Sequence, residues 1–211
     1  MSTSTRRMER RYVRGIEVRE AKPDSGSIGT LVGYAAVFNE RSLDLGGFTE
    51  IVLPGAFTES LKRGDDVRAL VGHDPRLIVG RRSAETLRIE EDAKGLRYEI
   101  DLPDTTAGRD VLESVKRRDL DGSSFGFGVL KDDWKRLDAD VYVRELIEVD
   151  LFDVGPATYP AYTGTTAEAR EVVAQLLAEG RRRVGLDGPA RQRRDRIIAL
   201  HRLRVALWSG A

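Results

Sequence analysis

A chain of 211 residues can hold one domain of ordinary size plus an appendage, with enough interior for a substantial core. Thirty-five basic residues against 35 acidic ones leave no net charge and no global electrostatic case for nucleic acid, while the absence of cysteine removes disulfides, thiol catalysis and thiolate metal sites. No apolar run approaches the roughly 20 residues of a membrane span, and "MSTSTRRMERR" lacks the apolar stretch of a secretory signal, so a soluble, intracellular protein is expected.

The first two thirds read mainly as strands. "YVRGIEVRE" (12–20) and "GTLVGYAAVF" (29–38) are β-like, and a helix follows at "PGAFTESLKR" (54–63), with Pro54 suited to a first turn. "LVGHDPRLIVGRR" begins as strand at Leu70 and Val71 and turns at Gly72 and Asp74-Pro75. "TLRIEEDAKGLRYEIDLP" (86–103) predicts a hairpin turned at Asp92–Gly95. A second helix, "TTAGRDVLESVKRRD" (105–119), carries Val111, Leu112 and Val115 on one face. "DGSSFGFGVL" (121–130) sets Phe125, Phe127 and Val129 at buried strand positions, and "DVYVRELIEVDLFDVGP" (140–156) supplies one or two long strands. Beyond the turn-rich "GPATYPAYTG" (155–164) the pattern becomes helical. "TTAEAREVVAQLLAEGRRR" (165–183) has a capping-box-like opening and an apolar stripe of Val172, Val173, Leu176 and Leu177, and "RQRRDRIIALHRLRVALW" follows the break at "GLDGPA". Residues 181–211 hold nine arginines against Asp187 and Asp195. The expected class is α+β, mainly β, organised as a short flexible N-terminus (1–10), a body (11–165) and a basic helical tail (166–211).

Without cysteine the ordinary nucleophiles are serine, threonine, lysine and carboxylates, and a serine needs a base, for which histidine has the best-placed pKa. His201 lies in the tail, so histidine-dependent chemistry in the body falls to His73, at the end of a strand where an imidazole meets both substrate and solvent; a surface-turn histidine reads the same way. The base needs a carboxylate to hold its tautomer and stabilise its cation. Glu145, Glu148, Asp150 and Asp153 crowd one strand. Strict alternation puts Glu148, Asp150 and Phe152 on one face, and Ile147, Val149, Leu151 and Asp153 on the other. Acidic groups in so apolar a strand are costly unless paired or functional, although a solvated outer face accounts for Glu148 and Asp150 as well. Ser123 and Ser124 lie between Gly122 and Gly126, whose missing side chains let a peptide backbone approach, and either hydroxyl fits a nucleophile on that ground.

Taken in order, "VGHDPRLIVGR", "GLRYEIDLPDTTAGRDVLESVKRRDLDGSSFGF" and "VRELIEVDLFDVGPATYPAYTGT" resemble the HK97-type prohead (procapsid) maturation proteases of tailed bacteriophages over roughly residues 10–165. The resemblance implies a herpesvirus-protease-like fold, a closed or nearly closed antiparallel-rich β-barrel flanked by helices, and a serine endopeptidase with an acyl-enzyme mechanism and no metal or organic cofactor. It assigns the nucleophile to Ser124, the general base to His73 and the third position to Glu148, and names no oxyanion donors. The implied substrate is the scaffold-like segment of the major capsid protein, cut inside the procapsid in the bacterial host cytoplasm. Self-cleavage of the tail and a homo-oligomer are implied too. Two other readings compete: a catalytically silent internal capsid assembly protein, and a nucleic-acid-binding module working through the basic tail.

Overall fold

The computed structural model describes residues 8–21, 26–138, 141–158 and 167–185. His201 and the second tail helix expected from "RQRRDRIIALHRLRVALW" lie outside them. The stretch expected as one strand over 12–20 is two, β1 (Met8–Arg14) and β2 (Ile16–Arg19), because Gly15 sits between them at φ 107°, where only glycine rests without strain. That bend carries the chain from one sheet to another. Next come β3 (Ser27–Val37), β4 (Phe48–Val52), the short helix α1 (Thr58–Arg63), β5 (Arg68–Leu70), β6 (Ile78–Arg81), β7 (Leu87–Glu91), β8 (Gly95–Pro103), α2 (Thr106–Lys116), the 17-residue strands β9 (Gly122–Asp138) and β10 (Val141–Ala157), and α3 (Ala167–Arg183).

The strands form two sheets. One runs β1-β9-β10-β5-β6, with β4 also paired to β10; the other runs β2-β3-β8-β7. Among the described residues the sheets do not close into a barrel, which corrects the closed or nearly closed barrel expected above. They are joined through packed side chains instead of a continuous ladder, and β4 and β5 both run parallel to β10 in an otherwise antiparallel arrangement. The core lies between the sheets. Leu31, Leu96, Tyr98, Ile100, Phe125, Phe127 and Val149 fill it, and α2 closes it with Val111, Leu112 and Val115, the stripe its sequence spacing predicts. Phe125 stacks on Phe127 at 4.8 Å and meets Phe57 edge-on at 5.3 Å. Burying each such ring contributes about 2–3 kcal/mol.

The hairpin of β7 and β8 turns where predicted. Asp92 Oδ1 accepts from the backbone N–H groups of Lys94 and Gly95, the local bonding that makes aspartate a turn former.

Helix α3 falls beyond the boundary expected near residue 165, yet it packs on the sheet. Leu176 joins Phe48, Trp134 and Tyr142 in a second, smaller core, and Gly180 lies so close to the Trp134 ring that a Cβ there would come within 2.2 Å of it. Arg183 pairs with Asp132. Asp132 in turn belongs to a buried ionic cluster linking β1, β4, β9 and β10. Arg11 contacts Glu50 at 2.5 Å and Glu9 at 2.8 Å; Arg144 contacts Glu9 at 2.7 Å, Glu50 at 3.3 Å and Asp132 at 2.6 Å.

Candidate active site

The strand β9 sorts its two serines by alternation. Ser123 shares the inward face with Phe125 and Phe127, and its Oγ is 2.5 Å from the hydroxyl of fully buried Tyr98. Burial pushes the Tyr98 phenol up, so it stays protonated and able to donate. Ser123 is thus a satisfied core hydroxyl. Ser124 points the other way, onto the outer face of the sheet.

His73 reaches that face from a tight turn. β5 ends at Leu70, and Gly72 and His73 both take positive φ, 58° and 63°, while Asp74 N–H donates to Val71 O at 3.1 Å. Two consecutive left-handed residues make a turn of the mirror-image class. Glycine supplies the first at no cost; histidine in the second is uncommon, and such conformations concentrate at functional sites. Gly72 N–H donates to Pro156 O at 2.9 Å and pins the turn against β10. The His73 side chain is only 7% exposed.

The ring is held at both ends. His73 Nε2 lies 2.6 Å from Ser124 Oγ, and Nδ1 contacts Asp153 Oδ1. With Nδ1–H donating to the carboxylate, Nε2 carries the lone pair that faces the serine hydroxyl, the tautomer a general base requires.

Glu148 does not reach the imidazole. It stands half-buried on β10 across from Lys131, five residues before Asp153, about 16 Å by strand rise. The physical reason is a bulge. Leu151 pairs with Phe127 but Asp153 pairs with Gly126, so one extra residue is accommodated on β10 and the alternation inverts. Asp153, which strict period two puts beside Val149 and Leu151 on the core face, is thereby turned to the outer face beside His73. The remaining acidic residues of the strand are engaged elsewhere: Asp150 with Arg63 at 2.5 Å, Glu145 with Lys135 at 2.6 Å. A signal for Asp153 was present in the sequence, since a carboxylate in the register of buried aliphatics demands either a partner or a break in that register.

Gly126 has a definite task in this arrangement. A Cβ there would come within 2.5 Å of Asp153 Oδ2 and 3.1 Å of its Cγ. Gly126→Ala is expected to displace the carboxylate and slow any reaction that uses His73 as its base by about a hundredfold, the scale of a 1 Å misplacement. Stability should fall by only about 1–3 kcal/mol. Turnover measured beside urea unfolding separates the two.

A serine hydroxyl, an imidazole and a buried carboxylate in one hydrogen-bonded line can perform acyl transfer. The model of the caudovirus prohead serine proteases matches residues 15–179. The chain belongs to this family. Ser124, His73 and Asp153 all fall within the matched residues, as do β2 to β10, whereas β1 precedes them. The prohead protease of Enterobacteria phage HK97 is 30% identical over 139 residues, which cover 64% of this chain and 57% of that protein, so the chain spans little more than half of that relative's length. The structure of the bacteriophage T4 capsid assembly protease superposes with a TM-score of 0.50 at 8% identity, covering 74% of this chain and 100% of that one, a likeness of fold. The family is thus met in a mainly β fold with few helices. Among the described residues no three His, Asp or Glu side chains cluster in a way that could hold a metal ion, and no helix is long and apolar enough to cross a membrane.

Proposed function

We propose that this chain is a serine endopeptidase of capsid maturation, with Ser124 as nucleophile, His73 as general base and Asp153 as the carboxylate that orients it. The observation that carries this reading is the unbroken contact line from the Asp153 carboxylate through His73 to Ser124 Oγ. His73 Nε2 takes the hydroxyl proton as Oγ attacks the scissile carbonyl, and Asp153 stabilises the resulting imidazolium. The proton then passes to the leaving amine, and an acyl-enzyme remains on Ser124. Water, deprotonated by the same Nε2, attacks the ester and releases the second product. Stabilising the oxyanion typically contributes about 3 kcal/mol to such a reaction.

The substrate we propose is a capsid protein cut inside the procapsid, within the bacterial host, in keeping with the names of the relatives above. Self-cleavage of the tail is part of the proposal, with one restriction. Cutting ahead of α3 would uncover Phe48, Trp134 and Tyr142 and strip Arg183 from Asp132, so the cut is proposed beyond residue 185. Co-expression with the cognate capsid protein tests both. The wild-type chain is expected to shorten the capsid subunit and itself, and Ser124→Ala to shorten neither, as read by intact mass. Equal shortening by both chains would remove Ser124 from the mechanism and leave the silent assembly protein as the better reading.

A further inference from the structure

The outer face that carries Ser124, His73 and Asp153 continues past Asp153 into an open cleft of about 640 Å³, a volume in the range of ligand sites. Half-buried Leu130 and Phe152 line it from β9 and β10, and Arg63 and Arg68 from α1 and β5. Its near end adjoins the triad, because Arg68 stands directly beside Asp153 in the parallel β5–β10 ladder, on the same face. From Ser124 to Arg68 is two strand spacings across and two residues along, about 12 Å, which an extended peptide covers in three or four residues.

The arginines of the cleft are not equally occupied. Arg63, at the far end, is engaged by two carboxylates, Asp65 at 2.7 Å and Asp150 at 2.5 Å. At the near end two arginines share one. Arg68 and Arg81 are directly opposed across β5 and β6, a like-charge pairing that costs stability, and Asp66 stands between them. Asp66 belongs mainly to Arg81: its Oδ2 accepts from Nε at 2.8 Å and from Nη2 at 2.5 Å, and its Oδ1 accepts from Ser83 N–H at 3.2 Å. These bonds hold its carboxyl well below the ordinary aspartate range. Among the described residues Arg68 meets no carboxylate closer than that of Asp66, at 3.5 Å, and it donates to the Asp66 carbonyl at 2.8 Å. Asp153, its neighbour across the ladder, is turned to His73. A guanidinium with donors to spare therefore faces the cleft beside the triad.

We propose that this cleft receives the substrate polypeptide three or four residues from the scissile bond, and that Arg68 selects an acidic side chain there. The assignment rests on the Ser124 peptidase reading and adds a substrate preference to it. A carboxylate entering beside Arg68 gains a charge-assisted partner and relieves the repulsion between the two arginines. A lysine or arginine would instead face both of them. Leu130 and Phe152 give the rest of the entering segment apolar surface to cover.

The test incubates the full-length chain with the chymotryptic peptides of a bacterial proteome and reads the new cut sites by mass spectrometry, with Ser124→Ala as the blank. In the wild type, aspartate and glutamate are expected to be enriched about threefold at one position three or four residues from the cut, the scale of an exposed ion pair. Arg68→Gln should erase that enrichment, and Arg68→Glu should replace it with lysine and arginine at the same position. Both variants are expected to fold, since the Arg68 side chain is 46% exposed. A merely structural role would slow every cut alike and leave the residue preference unchanged. The wild type supplies a second measurement that needs no variant: about 1 M salt, where charges are screened beyond roughly 3 Å, should flatten the acidic enrichment. Ser124-dependent cuts with no acidic enrichment at those positions, or with enrichment that survives in Arg68→Glu or in salt, sink the cleft assignment alone. No Ser124-dependent cut in any peptide sinks the peptidase reading with it.

Discussion

Asp153→Asn is expected to lower kcat by about ten-thousandfold with little change in KM or in the unfolding midpoint, because an amide can present its N–H to Nδ1 and so force the proton onto Nε2, where it blocks deprotonation of Ser124. Glu148→Gln should stay within about twofold of wild type, as expected of a residue away from the reacting groups. Asp150→Asn should also remain active, since its contact with Arg63 is at the surface and such pairs contribute about 1 kcal/mol or less. Steady-state hydrolysis by the three single variants decides the question. Loss of activity in Glu148→Gln with retention in Asp153→Asn would reverse the assignment and require the β10 bulge to slip in solution.

Arg144→Met is expected to cost about 3–5 kcal/mol of stability, read as a lower urea midpoint at unchanged slope. Arg144 sits among Glu9, Glu50 and Asp132, and removing its charge leaves three acidic groups facing, among the described residues, Arg11 and Arg183. Burial alone would push the Glu9 carboxyl up; Arg11 and Arg144 outweigh it and hold Glu9 below its ordinary value. Asp132 shows the same balance, with Arg144 and Arg183 prevailing over burial. A depressed carboxyl pKa contributes stability that is complete above the unfolded-state value and is lost as pH falls through the folded one. The wild-type chain should therefore lose stability as pH drops below the ordinary glutamate value of 4.5. That loss should be shallower in Arg144→Met, where the groups that depress Glu9 and Asp132 are reduced. A variant as stable as wild type at neutral pH would show that the cluster is hydrated and contributes nothing net.

How far the chain could be read before folding is clearest from particular residues. The hairpin at Asp92–Gly95, the apolar face of α2 and the turn that presents His73 were all legible, because each depends on local chemistry: an aspartate that bonds its own turn, a 3.6-residue stripe, a glycine followed by Asp-Pro. The paired hydroxyls of "DGSSFGFGVL" were legible as two candidates between glycines, and the family resemblance singled out Ser124; that Ser123 is the one bonded to buried Tyr98 depends on where β8 lies.

Other features were set only by the assembled sheets. Asp153 takes the place expected of Glu148 because a bulge, opposite a phenylalanine and a glycine on another strand, inverts an alternation that the sequence of β10 alone presents as regular. The two sheets stay apart because Gly15 bends the chain between them, and no one-dimensional pattern distinguishes that bend from a strand that continues. Helix α3 had its stripe written in Val172, Val173, Leu176 and Leu177, but its acceptor, the far end of the β9–β10 hairpin with Trp134 and Phe48, comes together only on folding. The sequence by itself determined residue types and local conformations, because those follow from short-range sterics and hydrogen bonding. The tertiary structure alone decided which carboxylate meets the imidazole, because that depends on strand register, which brings together two side chains 80 residues apart.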